Sequence, residues 1–409
     1  MPVIYNVTIE PTEKENRFHI TWYNADTNVF DSFDSHAGVT PEEAEGLWHK
    51  LPHQLPIGQK LFRFLDGDSR HLQGALDDAN QKGESLQVNL RTCQQTAEWP
   101  FELLAKDNAF LLPQRLHLVR YVSDWGREKD IHPQERPLKL LFMTSTARDV
   151  MPELDFEQEE EAIFRITENL IIDMEIEDSG SLEGLCSRLE QEQYDVVHLS
   201  GHADIDENGQ PYFIMEDETG HEHRVFPDML WGDALIENPP RLLILSGCRT
   251  CEAPRSPDTS GAAESTTAMS FARLLVENYN VPAVLGWGRS VVEEHANHAT
   301  RILLRELSRG KSILDSIQRA RYELLKSFPL GPNPAWPFLR LFSNGTPLDA
   351  IVKKDQRWQP KPQQLKHVYL RQSQVQVLAQ GFVGRRRQLQ TSLGALKKDV
   401  DKVGVLLLA

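Results

Sequence analysis

The sequence predicts an α/β fold: a doubly wound, mostly parallel sheet with helices on both faces. Three observations lead there. From Pro137 onward, short apolar runs alternate with amphipathic stretches in a β/α rhythm, which gives parallel strands joined by helical crossovers. Two of the runs, Tyr194-Asp195-Val196-Val197-His198-Leu199-Ser200-Gly201-His202 and Arg241-Leu242-Leu243-Ile244-Leu245-Ser246-Gly247-Cys248-Arg249-Thr250, read as buried strands. Each stops at a Gly-flanked reactive side chain. Finally, a hydrophobic content of 40% with 25% charged residues is that of a soluble globular protein, and 409 residues suffice for two or three domains.

The first part, residues 1–130, opens on alternating stretches, Tyr5–Ile9 and Phe18–Tyr23, that suit a hairpin. Ile57–Ala79 carries apolar residues at helical spacing, Leu86–Leu90 reads as a strand, and Trp99-Pro100-Phe101-Glu102-Leu103-Leu104 packs after it. A polar stretch, Asp124–Arg136, precedes the second part, 137–350. There Leu138–Met143 is a strand, Phe156–Leu170 an acidic amphipathic helix and Leu182–Glu192 a second helix feeding the strand that ends at His202. Tyr212–Met215 and the turn Asp217-Glu218-Thr219-Gly220 form a small hairpin. A polar loop, 251–266, follows the strand ending at Ser246; helix 267–278, strand Val281–Leu285 and helices 292–308 and 311–326 complete the unit. Pro329–Pro347, with five prolines, closes it. Residues 351–380 read as a Gln-rich linker, and 381–409 as a helix and a strand-like end, Val403–Ala409, expected to continue into a further domain.

A net charge of −16 argues against a nucleic acid partner. No apolar run approaches the roughly 20 residues of a membrane span, the start lacks a signal-peptide pattern, and four cysteines make no disulfide framework. A cytoplasmic protein without a membrane partner is the expectation.

Ligands of open α/β sheets sit beyond the carboxyl ends of the strands, so neighbouring strands would bring His202 and Cys248 to one rim. An imidazole beside a thiol suits nucleophilic attack on a peptide carbonyl, with the backbone N–H groups of Ala203 and Cys248 as an oxyanion hole. Glu293 and Glu294 begin a helix near the same rim. Two other readings compete. His198, His202, Cys248 and Cys251 make a legitimate zinc set, but four residues of strand separate the histidines by roughly 13 Å unless Ser200-Gly201 bends. A sheet of this kind can also serve as a non-catalytic scaffold. His198 is expected to be a core residue or one that braces the site from behind, His295 and His298 surface residues, and the run Glu157–Glu161 a solvated face.

These residues resemble the CHAT proteases, caspase-like cysteine peptidases of clan CD related to separase. The similarity spans most of residues 1–350. Trp99–Leu104 is similar to a conserved segment of the family's catalytically silent first half; Leu140–Met143 with Arg148-Asp149 is similar to the first strand of its active half. Val196–His202 and Leu243–Thr250 match its two catalytic motifs. The resemblance implies a caspase-like sheet, a cysteine endopeptidase, His202 as catalytic histidine, Cys248 as nucleophile and a protein substrate. Two positions depart from it. Ala203 stands where the family usually has Gly, and Ser246 where metacaspase-like relatives often have an Asp that binds a basic P1 side chain. Val291-Val292-Glu293 resembles the acid-bearing segment of separases, implying an S1 pocket of Glu293, Ser246 and Trp287 that favours Arg or Lys.

Phe382-Val383-Gly384-Arg385 and Val405–Leu408 resemble the start of a STAND-type NTPase. That implies a prokaryotic defence or cell-death protein in which ATP serves the NTPase alone, self-association runs through it, and a cell-death effector is the substrate. The protease region needs no cofactor and no metal.

Overall fold

The computed structural model describes residues 2–14, 16–36, 39, 54–112, 116–121, 132–151, 156–247, 250, 270–328, 335–354, 367–369, 376–378 and 386–398. In the first part these form β1 (Val3–Pro11), β2 (Arg17–Asn24), β3 (Val29–His36), α1 (Gln54–Asp66), α2 (His71–Lys82), β4 (Leu86–Arg91) and β5 (Leu116–Tyr121). The expected hairpin is present as β1–β2 and gains a third antiparallel strand, β3. The single helix expected over 57–79 is two. Gly67, at φ 59°, takes a left-handed turn where a Cβ would come within 2.5 Å of the Phe33 ring, and Arg70 is also left-handed. The Asp66 carboxylate then accepts from the Gln73 N–H at 2.7 Å, anchoring the second helix.

The second part follows as β6 (Leu138–Thr144), α3 (Phe156–Thr167), β7 (Ile172–Glu177), α4 (Leu182–Gln191), β8 (Val196–Ile205), β9 (Pro211–Glu216), β10 (Glu222–Val225), β11 (Leu242–Gly247), α5 (Phe271–Glu277), β12 (Ala283–Trp287), α6 (Glu293–Ser308), α7 (Ile313–Ser327) and β13 (Leu339–Ser343). β7, β6, β8, β11 and β12 are neighbours in that order and all parallel. β9 and β10 continue antiparallel from the far end of β8. α4 and α5 cover one face of this block, α3, α6 and α7 the other.

Three further features depart from the sequence expectation. β7 is absent from it, although Ile172-Asp173-Met174-Glu175-Ile176-Glu177 alternates acids with apolar residues, the pattern of a half-buried edge strand. The proline-rich stretch contains β13, which pairs antiparallel with β12 and parallel with β5. One 13-stranded sheet therefore runs through both parts, to β4, β1, β2 and β3. Within the expected linker, His367–Tyr369 and Gln376–Leu378 pair as a short hairpin. The tail helix, α8 (Arg386–Lys398), is present, whereas Val403–Ala409 and the loop 251–266 lie outside the described residues.

Candidate active site

At the carboxyl ends of β8 and β11 the register aligns Ser200 with Ser246 and Gly201 with Gly247. His202 follows directly in β8, and Cys248 follows Gly247 in the chain but lies outside the described residues. Strand alternation turns His198, Ser200 and His202 of β8, and Ser246 of β11, to one face. There they line an open pocket of about 720 Å³ with Trp287, Glu159, Glu293, Asn297 and Thr300. The expected S1 residues Glu293, Ser246 and Trp287 thus meet at one pocket with His202. Trp287 ends β12 and Glu293 starts α6.

The opposite face explains the glycines of both motifs. The fully buried Phe213 of β9 lies beneath them: a Cβ on Gly201 would sit 3.0 Å from its ring and 2.9 Å from the Ser145 carbonyl. A Cβ on Gly247 would sit 3.1 Å from the same ring and 3.0 Å from the Thr250 methyl. Thr250 in turn pins the strand end. Its hydroxyl donates to the Gly247 carbonyl at 3.2 Å and accepts from the Trp287 N–H at 3.3 Å.

Ala203 belongs to β8 and pairs with Phe213. The Ser200 carbonyl accepts from Ser145 N–H on the β6 side, so even-numbered residues of β8 direct their backbone groups to β6 and β9. The odd-numbered Ala203 turns its N–H toward the β11 side.

Glu159 is the charged lining residue that sequence reasoning missed. The run Glu157–Glu161 was expected to be solvated, yet Glu160 is buried and the Glu159 carboxylate enters the pocket. The reason is helical: Glu159, Glu160 and Ile163 share the inward stripe of α3, and only the exposed Glu161 obeys the expectation among those whose side chains are described. The Thr144 hydroxyl donates to Glu159 Oε2 at 3.0 Å, and Ser200 is a second hydrogen-bond partner. Burial, aided by the neighbouring Glu293 carboxylate, pushes the Glu159 carboxyl above its ordinary range, against the hydrogen bonds from Ser200 and Thr144. No charge pattern in the sequence distinguishes Glu159 from its neighbours; the i, i+4 spacing to Ile163 is the one available signal.

His198 is a core residue, as expected. It is buried beside Phe142, its Nε2 lies 2.6 Å from Ser246 Oγ, and burial lowers its pKa to about 4. β8 runs unbroken from Val196 to Ile205, without the bend at Ser200-Gly201 that the zinc reading requires. Among the described residues no group of three potential metal ligands occurs. His295 and His298, expected on the surface, instead pack their rings against Phe328 at 4.1 and 5.5 Å, because α6 turns that face toward the end of α7.

The fold is a mostly parallel α/β sheet with the carboxyl ends of β8 and β11 side by side on one rim. The description of the CHAT domain matches residues 55–335, more than half of the chain, and the chain belongs to that family. Among solved structures it is similar to the Arg-specific cysteine proteinase gingipain R, at TM-score 0.43 and 8% identity over 70% of each chain. It is also similar to the Saccharomyces cerevisiae separase–securin complex, at TM-score 0.46 and 9% identity over 85% of this chain and 30% of that one. Caspase-1 from Spodoptera frugiperda gives TM-score 0.36 and 12% identity over 58% of this chain and 100% of the other. No curated protein sequence matches. Among the described residues no helix is long and apolar enough to cross a membrane.

Proposed function

We propose that the chain is a cysteine endopeptidase acting through His202 and Cys248. The register that aligns Gly201 with Gly247, one residue before each, is the observation that carries this reading. His202 accepts the Cys248 thiol proton; the thiolate attacks the peptide carbonyl, while the Ala203 and Cys248 N–H groups receive the oxyanion. The imidazolium then protonates the leaving amine, and water, deprotonated by the imidazole, releases the acid. Two carboxylates in one pocket, Glu159 and Glu293, favour Arg or Lys at P1. Incubation with a peptide library read by mass spectrometry tests the reading. Cleavage after basic residues is expected, lost in Cys248→Ala and in His202→Ala; cleavage that survives Cys248→Ala refutes it.

The same proposal extends to the whole protein. Residues 381–409 lead into a STAND-type NTPase whose ATP-driven self-association activates the protease, in a cytoplasmic defence or cell-death system with an effector protein as substrate. The motivating residues are Phe382–Arg385 and Val405–Leu408. A protein extended beyond residue 409 is expected to bind ATP and to form larger, more active assemblies; an extended protein that does neither sinks this part.

A further inference from the structure

A second buried charged cluster lies on the rim of the sheet, and residues beyond the CHAT match build half of it. From the first turn of α8, Arg386 donates through Nε to the Asp178 carbonyl at 2.6 Å and through Nη1 to the Thr144 carbonyl at 2.7 Å. Nη1 also reaches Glu216 Oε1 at 2.9 Å, and Nη2 reaches Glu160 Oε1 at 3.1 Å. All three charged side chains are at most 4% exposed. Glu216 further accepts from the Thr146 N–H at 2.9 Å and from Arg387 Nη1 at 3.2 Å. Arg148 donates to the Arg387 carbonyl and to Thr391 Oγ1, both at 2.8 Å.

Leu393 of α8 is 37% exposed, whereas the Arg386 side chain is only 4% exposed. Desolvating such ions is costly and is offset only by well-formed mutual contacts, so removing one partner is severe. α8 is therefore held by directional polar bonds in one position.

Those bonds end on the groups that carry Glu159. Arg386 binds the backbone of Thr144, whose hydroxyl holds Glu159 Oε2, and it pairs with Glu160, the next residue of α3. We infer that Arg386 is a positioning residue for the pocket carboxylate Glu159, so that the seating of this one side chain of α8 sets how well the pocket accepts a cationic side chain. This rests on the reading of the pocket as the P1 site and gives a segment outside the protease match a hold on its specificity.

The test compares peptides with Arg or norleucine at P1, and binding of benzamidine by calorimetry, which needs no catalysis. Arg386→Ala is expected to lower the Arg-to-norleucine ratio of kcat/KM about tenfold, through KM, the scale of residues coupled through a contact network. Arg386→Lys should restore part of it, and in a Glu159→Gln background Arg386→Ala should change the ratio less than about twofold. Arg387→Ala, which touches Glu216 and Thr146, is expected to lower Tm and leave the ratio unchanged. If Arg386→Ala does not fold, Glu160→Gln takes its place with the same expected result. Equal losses on both peptides, or losses that multiply in the double variant, overturn the inference. If the wild type cleaves neither peptide but binds benzamidine, and Arg386→Ala weakens that binding about tenfold, the endopeptidase reading fails and the inference survives. A wild type that neither cleaves nor binds removes both.

Discussion

Gly201→Ala should both destabilise the protein and impair its chemistry, although Gly201 does not adopt a positive φ. An added Cβ meets the Ser145 carbonyl at 2.9 Å and the Phe213 ring at 3.0 Å, both closer than van der Waals contact allows. Overpacking of this kind costs about 1–3 kcal/mol, and replacing Gly within a strand returns about 0.5–1 kcal/mol. The net is a loss of up to about 2.5 kcal/mol, or a Tm lower by up to about 3 °C for a cooperative unit of this size. Relief requires β8 to move by a few tenths of an ångström against β6, and His202 moves with it. Since a misplacement of about 1 Å costs roughly 100-fold, the expected loss in kcat/KM is about 2–10-fold. Calorimetry and peptide cleavage measure the two. Gly74→Ala is the control, because its Cβ meets nothing within 4 Å and α2 should gain about 0.5–1 kcal/mol. In a Phe213→Leu background, Gly201→Ala should cost less by about 1 kcal/mol. If Gly201→Ala raises Tm as Gly74→Ala does, the close approach beneath the motif is not what requires a glycine there.

Burial lowers the pKa of His198 to about 4 and, against the pull of Asp315, that of His117 to about 4. Both folded values lie below the unfolded 6.5, so the stability from the neutral rings is full above that pH and is lost as pH falls toward 4. The unfolding free energy from urea titration should decline through this window by up to about 1.4 kcal/mol per pH unit per ring, and His117→Gln should flatten the decline; a free energy constant from pH 7 to 5 contradicts it. Because a cationic P1 side chain needs an ionised Glu159, kcat/KM for Arg peptides should rise with pH through that raised carboxyl titration. Norleucine peptides should lack this limb, and Glu159→Gln should abolish it for Arg peptides. Burial raises the Glu102 carboxyl, but the attraction of Arg120, bound at 2.9 Å through both oxygens, outweighs it. Glu102→Ala should strand that guanidinium and cost about 3–5 kcal/mol in urea unfolding; a cost below about 1 kcal/mol contradicts the assignment.

Much of the fold and site was legible wherever one residue type forces one structure. The runs before His202 and Ser246 are apolar and β-branched, and both emerge as adjacent parallel strands. The resemblance put Glu293, Ser246 and Trp287 in one group, and the fold brings them to one pocket from β11, β12 and the start of α6. The missed features share a cause: their residue types fit two structures equally well. Glu159 lies in a run of acids that composition marks as solvated, and only packing of α3 against α6 and the sheet selects which of them turn inward. Ile172–Glu177 reads as polar until β6 buries one side of it, and β13 hides among prolines that flank it without interrupting it. The buried pairing of Arg386 with Glu160 joins residues 226 apart, a distance at which no local pattern operates.

β13 has a consequence for how the molecule unfolds. The sequence divides at residues 130–137, and two parts folding separately would unfold in two steps. β13 instead bonds β12 on one edge and β5 on the other, and its anchors come from both parts. Arg340 on it, 1% exposed, donates through Nη1 to Glu98 Oε2 at 2.8 Å. Arg321 of α7, its pKa lowered to about 10 by burial, donates twice to the Leu339 carbonyl, at 3.0 and 2.6 Å. Neither part can shed β13 without exposing a sheet edge and burying guanidinium groups without partners, so opening one part raises the free energy of the other. Native-state hydrogen exchange should therefore report one opening free energy for amides of β4 and β11. Arg340→Ala should lower both together, by about 2–3 kcal/mol. Exchange of β4 at a free energy well below that of β11 in the wild type, or a loss confined to one of them in the variant, would show that the continuous sheet does not make the two parts one cooperative unit.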